Sequence, residues 1–312
     1  MLFSRFLNHS VLFIQKQRLC LTKSRNSLII KLIVANVYNT YYADAGKGLE
    51  IVIKAVVFDM GGVIFSHRYS LERAVAHAAQ TIEWLKEYNI HIKESPSEFA
   101  RKLEEADQDR RHDTEQQLRE IPPLEALCDY YLRDYAPSPK VLFPIAEEFC
   151  FRRCDQCYEA TPSPGLLECV RGLRKQGLRL GVISNTVSRT YMMSKLAEFG
   201  VAGYFEYVLL SSVCGLRKPD PAIFELCRTT MGLKKSEMAY VGDTISRDVI
   251  GTLDAGWELM IRMAAPNPRA HVVKREQALE GCGYQPHHFI RELPQVVEII
   301  RAKNAELSYS SP

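Results

Sequence analysis

Lys54-Ala55-Val56-Val57-Phe58-Asp59-Met60-Gly61-Gly62-Val63-Ile64 is the stretch on which the reading of this chain turns. Its run from Ala55 to Phe58 is unbroken and apolar, the pattern of a strand covered on both faces in a parallel sheet. Asp59 closes the strand and two glycines follow. Open α/β sheets bind ligands beyond the carboxyl ends of their strands, so this aspartate stands where a reactive group is presented. The glycines allow close backbone approach. By itself the segment reads equally well as a strand-ending turn with an incidental aspartate.

Three later segments tip that balance. Leu178-Arg179-Leu180-Gly181-Val182-Ile183 is a second apolar strand, ending in Ser184-Asn185-Thr186. Gly215-Leu216-Arg217-Lys218-Pro219-Asp220-Pro221 sets a lysine just before a proline-marked helix start. Ala239-Tyr240-Val241 runs into Gly242-Asp243-Thr244, with Asp248 five residues beyond Asp243. An aspartate, a serine, a lysine and an acidic pair thus follow one another at loop positions, three of the four directly after expected strands.

The order Asp59, Ser184, Lys218, then Asp243 with Asp248 resembles the four motifs of the haloacid dehalogenase-like (HAD) hydrolase superfamily, in the subfamily I form with a helical cap. The resemblance covers about residues 54–303 and is most specific from Val241 through Asp248 to Gly256. The wording around Asp59 and Ser184 is similar to the phosphatase-like domain fused to some acyl-CoA dehydrogenases and to the amino-terminal phosphatase domain of soluble epoxide hydrolases. The resemblance implies that Asp59 attacks phosphorus, splitting hydrolysis into two steps through an aspartyl-phosphate. It implies that Lys218 holds the nucleophile and a phosphate oxygen, with Ser184 and Asn185 as further substrate-binding residues. Phosphoryl transfer is accelerated mainly by positioning and charge compensation, and three carboxylates around an anionic substrate call for a hard cation with oxygen ligands. Mg²⁺ is therefore the implied cofactor, held by Asp59, Asp243, Asp248 and the Gly61 carbonyl.

One position departs from the family pattern. Most of its phosphatases carry a second aspartate two residues after the nucleophile, where it protonates the leaving group and then activates water; here that residue is Gly61. Acid–base help is typically worth about 10²–10⁴-fold, so its loss would favour good leaving groups such as aryl or acyl phosphates. His67, eight residues beyond Asp59, is a candidate to take over proton transfer if it folds back over the site. In a polar run such as Ser66-His67-Arg68 a histidine is more often simply a solvated side chain.

The rest of the chain alternates strands and helices, the mark of a parallel sheet with helices on both faces. Strands are expected near 54–58, 179–183, 207–211, 238–241, 258–262 and 288–290, and helices near 164–176, 188–198, 220–231, 246–254 and 293–303. The expected fold is α/β, a Rossmann-like doubly wound parallel sheet with a helical cap inserted after the first strand. Residues 66–160 read as mostly helical, with helices at 71–87, 98–106, 114–119 and 124–134, and in the resembling family such an insertion forms a lid over the phosphate. Arg110, Arg111 and His112 are a basic cluster there, read as a solvated helix face. The expected organisation is a basic leader at 1–48, a hydrolase core at 49–65 and 161–303, a cap at 66–160 and a tail at 304–312.

Of the net charge of +3, the first 43 residues supply six Lys or Arg and no acid, so the remainder carries −3. The body is thus not a basic nucleic-acid binder. The leader has the Arg-, Ser- and Leu-rich, acid-free composition of a mitochondrial transit peptide, with a cytoplasmic protein as the alternative. Its most apolar part, Leu28 to Tyr38, is too short to span a bilayer, so no membrane span is expected. Nine cysteines, an odd number, favour a reducing compartment over a disulfide framework. Cys150, Cys154 and Cys157 carry a spacing that resembles an iron–sulfur signature, but on a helix they would share one face and pack as a small apolar stripe. His287-His288 read as a surface pair and Trp257 as a packed aromatic.

Three functions stay open at this stage. The first is a Mg²⁺-dependent phosphatase acting on a small phosphorylated metabolite. The second is a weakly catalytic member that binds a phosphorylated ligand or a partner, and the third is a metal-free hydrolase of the haloacid dehalogenase type.

Overall fold

The computed structural model describes residues 53–265 and 270–308, so the basic leader lies outside it. Among the described residues the strands are β1 Ala55–Phe58, β2 Phe65–Tyr69, β3 Tyr158–Pro162, β4 Arg179–Ser184, β5 Tyr207–Leu210, β6 Met238–Gly242, β7 Leu259–Met263 and β8 His288–Ile290. The helices used below are α1 Leu71–Lys86, α2 Pro96–Gln117, α3 Ala146–Gln156, α4 Leu166–Lys175, α5 Tyr191–Glu198, α6 Pro221–Met231, α7 Ile250–Asp254, α8 Ala270–Ala278 and α9 Pro294–Ser308.

Six strands form one parallel sheet in the order β5-β4-β1-β6-β7-β8. The chain works outward from β1 to β4 and β5, then returns to the other side of β1 with β6. The strand order therefore reverses between β1 and β6, which is where ligands bind in doubly wound sheets. Alternate residues of β1 face opposite ways. Val56 and Phe58 join a core with Leu173 of α4 and Val296 and Ile300 of α9. Ala55 and Val57 join another with Ile223, Phe224 and Cys227 of α6 and with Trp257. Burial on both faces explains the apolar run.

The cap has its own core, which includes Leu85, Phe99, Leu103, Leu127 and Phe149. It departs from expectation in two places. Its entry and exit are not helical but form an antiparallel ribbon, β2 against β3, with His67 opposite Ala160. The interruption expected between residues 106 and 114 is also absent, because α2 runs unbroken from Pro96 to Gln117. Ser95 and Glu98 make a capping box at its start. The stretch between the two expected helices continues the helix, with Asp107, Arg110 and Thr114 turned inward and buried. Helix α8 was also not foreseen, and the expected 246–254 helix begins as a π turn at Ile245–Val249.

Candidate active site

Phe58 of β1 pairs with Val241 of β6, so Asp59 and the Gly242-Asp243 turn leave the sheet side by side. Two glycines let these acids approach each other. Gly62 has φ +89°, and a Cβ on it would lie 2.3 Å from Asp243 Oδ2. A Cβ on Gly242 would lie 2.3 Å from the Asp248 Cβ. Neither position accepts a side chain without displacing a carboxylate.

Lys218 is buried at the centre of the cluster. Its ammonium donates to Asp248 Oδ1 at 2.7 Å and to the Tyr240 hydroxyl at 2.7 Å, and contacts Asp59 Oδ1 at 2.8 Å. Burial works against its charge, but Asp248 and Asp59 outweigh it and hold the group above its usual range. Asp248 is held through both of its oxygens. Its Oδ2 accepts from the Thr244 hydroxyl at 2.7 Å and from the Asp243 and Thr244 amides at 3.2 and 3.0 Å. Burial opposes its ionisation, yet Lys218 and Arg247 prevail and keep it well below the usual carboxylate range.

Asp59 and Asp243 behave differently. Burial pushes Asp59 up, with Lys218 as the main counterweight. Asp243 is pushed much further, by burial first and then by repulsion from Asp248 and Asp59. Its Oδ1 is buried without a hydrogen-bond partner. A buried carboxylate oxygen without a partner is costly, and a cation bound beside it would supply the missing partner. Asp59, Asp243 and Asp248 each place an oxygen within 4.8 Å of the other two, the only such group of His, Cys, Asp or Glu side chains among the described residues. All donors are hard oxygens, which fits Mg²⁺.

These groups open into a cavity of about 800 Å³ lined by Asp59, Ser184, Lys218 and Asp243 from the core side, by His67 of the ribbon and by cap residues such as Arg111. Ser184 ends β4 as expected. Asn185, expected as a substrate ligand, has another task. Its Oδ1 accepts the Lys218 N–H at 3.0 Å and its Nδ2 donates to the Lys218 carbonyl at 3.0 Å. The side chain clamps the lysine's peptide while still bordering the cavity.

The cap cluster corrects the solvated-face reading. Arg110 is buried, donating to Asp107 Oδ1 at 3.0 Å and to Glu120 Oε1 at 3.0 Å. Arg111 is half-buried and pairs with Asp107 Oδ2 at 2.8 Å, and only His112 is exposed. Glu120 also accepts from Ser211 at 3.0 Å and from Arg217, the residue before Lys218. A second tie joins cap and core. Glu147 of α3 accepts from the Ser188 hydroxyl at 2.7 Å, the Arg189 amide at 2.9 Å and the Thr190 hydroxyl at 2.8 Å, just ahead of α5.

Tyr240, Glu120, Arg217 and Arg247 were not singled out from sequence. Tyr240 reads as a core aromatic, and only its hydroxyl contact with Lys218 reveals more. Cys150 and Cys157 sit in the cap core, where burial pushes the Cys157 thiol up to about 11. The apolar-stripe reading of these cysteines fits that placement. Trp257 packs against Phe224 and Tyr240, and His287-His288 are exposed, as expected.

A family model described as haloacid dehalogenase-like hydrolase matches residues 53–256. A glyceraldehyde 3-phosphate phosphatase of Methanopyrus kandleri is 25% identical over 205 residues, covering 66% of this chain and 82% of that protein. The haloacid dehalogenase-like hydrolase domain-containing protein 3 of Bos taurus is 33% identical over 138 residues, 42% of this chain. The chain spans about half the length of that relative, 51%. Among solved structures, the 2-haloacid dehalogenase of Pseudomonas syringae pv. Tomato DC3000 superposes with a TM-score of 0.53 at 22% identity, over 80% of this chain and 99% of that one. That likeness is one of fold.

Proposed function

Because the chain belongs to the haloacid dehalogenase-like hydrolase family, we propose that it is a Mg²⁺-dependent phosphatase of a small phosphorylated metabolite, with Asp59 as nucleophile. The observation that carries this reading is the uncompensated Asp243 carboxylate beside Asp59 and Asp248, all within 4.8 Å. The phosphatase named among its relatives agrees with it. Displacement of halide from carbon needs no dication, so the dehalogenase alternative leaves Asp243 without a task.

Asp59, Asp243 and Asp248 would hold the cation, with the Gly61 carbonyl as a further ligand. Bound there, it would offset negative charge on the carboxylates and on the phosphoryl oxygens. Lys218 and Arg247 add two positive charges beside three carboxylates. Lys218 fixes Asp59 Oδ1, orienting the carboxylate toward the cavity. The Ser184 hydroxyl at the end of β4 donates to a phosphoryl oxygen. Asp59 attacks phosphorus as the ester oxygen leaves, and water then releases phosphate from the aspartyl group.

The test is hydrolysis of p-nitrophenyl phosphate by the full chain, with Mg²⁺ and with chelator, beside Asp59→Asn. Metal-dependent turnover that disappears in the variant is the expected result. A folded protein with no turnover, or turnover indifferent to chelator and to the variant, overturns the reading.

A further inference from the structure

Gly61 occupies the position at which the resembling phosphatases carry their acid–base aspartate, and the space beside it is filled. A Cβ built on Gly61 would lie 3.1 Å from His67 Cε1 and 3.4 Å from His67 Nδ1. The imidazole thus stands where an aspartate side chain at this position would go. The backbone does not itself require glycine here, since Gly62 but not Gly61 has positive φ.

We infer that His67 is the proton donor and acceptor for the leaving group, supplying from the ribbon the side chain that Gly61 lacks; this rests on the phosphatase reading above. Its position is set by the fold. His67 lies mid-strand in β2, paired with Ala160 of β3. Its ring packs against Phe65, at 5.9 Å, and Tyr158, at 5.5 Å between centroids. It borders the same cavity as Asp59 and Lys218.

In the first step an Asp59 oxygen bonds phosphorus while the bond from phosphorus to the ester oxygen breaks. The imidazolium N–H gives its proton to that oxygen, which leaves as an alcohol. In the second step the neutral imidazole takes a proton from water as the water oxygen bonds phosphorus. The Asp59–phosphorus bond breaks, releasing phosphate and restoring the carboxylate and the imidazolium.

The experiment uses the full chain with Mg²⁺ and a series of substituted phenyl phosphates graded in leaving-group pKa, from p-nitrophenyl to unsubstituted phenyl. Wild type is compared with His67→Ala, His67→Gln and the double variant Gly61→Asp/His67→Ala, each checked by melting temperature. With His67 removed, turnover of phenyl phosphate should fall about 10²–10⁴-fold while the p-nitrophenyl ester loses far less, so the dependence on leaving-group pKa steepens. His67→Gln, which keeps polarity and bulk but cannot carry the proton, should behave the same way. Recovery of phenyl phosphate turnover in the double variant, where the vacated space admits the carboxylate, supports the assignment, because a packing role would not be restored by a carboxylate at residue 61. Equal losses across the series, or none, overturn it. If wild type hydrolyses p-nitrophenyl phosphate but the slope is unchanged in both variants, only the His67 assignment fails; if wild type hydrolyses none of the series, both fail.

Discussion

Asn185 grips Lys218 by its main chain, accepting the lysine N–H and donating to its carbonyl, each at 3.0 Å. Holding that peptide fixes the start of the side chain whose ammonium reaches Asp59, Asp248 and Tyr240. Asn185→Ala removes two hydrogen bonds worth about 1 kcal/mol each and should lower Tm by several degrees. The larger effect is on rate, with kcat on p-nitrophenyl phosphate expected to fall about tenfold or more. A normal kcat in steady-state assays would show that the clamp is dispensable.

Asp243 carries the least compensated charge of the site, held well above the carboxylate range by burial and by its acidic neighbours. Asp243→Asn removes that charge. The metal-free variant should therefore melt higher than metal-free wild type, by about 2–4 °C for each kcal/mol relieved. Added Mg²⁺ should raise the wild-type Tm and leave the variant's unchanged. Calorimetry with chelator and with metal reads both effects.

Glu120 sits between Arg110 and Arg217, all three buried. Glu120→Ala leaves two guanidinium groups without their shared partner, and breaking a buried pair in this way costs about 3–5 kcal/mol. Urea unfolding should show that loss. Glu120→Gln, which keeps the shape and one of the two accepting oxygens, should cost less in stability while still lowering kcat, because Arg217 adjoins Lys218.

His77, which does not line the cavity, gives the cap a pH response. Burial lowers it to about 4, although its Nδ1 bonds Gln156 Oε1 at 2.8 Å. The folded value lies below the unfolded one near 6.5, so the unfolded chain takes up the proton first as pH falls. Stability from this group is complete above about pH 6.5 and is lost as pH falls toward 4, on the order of 3 kcal/mol in all. His77→Gln should differ most from wild type near pH 7 and converge with it, or overtake it, near pH 4. Urea midpoints across that range check the crossing.

The sheet was legible because β1, β4, β6 and β7 are covered on both faces and so read as apolar runs. Three of the four chemical positions were legible because they follow those runs directly, and Lys218 because a proline-marked helix start comes just after it. The ribbon was not, since β2 is five residues with a polar centre, Ser66-His67-Arg68, and its pairing with β3 spans about ninety residues of chain. His67 could be raised as a candidate, but only that pairing places its ring beside Gly61. The same limit hid Glu120 and Arg217. An isolated charge in sequence shows neither its burial nor its partner 97 residues away.

Glu120 spans from the cap to the residue before Lys218, and through Arg110 it shares the charge network that borders the cavity. A change of cavity wall near Asp107 or Arg110 is therefore also a change of strain on the loop that presents the ammonium. Substrate preference and turnover rate are not independent traits in such a molecule. A lineage drifting toward a new metabolite through these residues has to re-establish its rate along with its selectivity, and the substitutions that succeed should come in pairs, one on each side of Glu120.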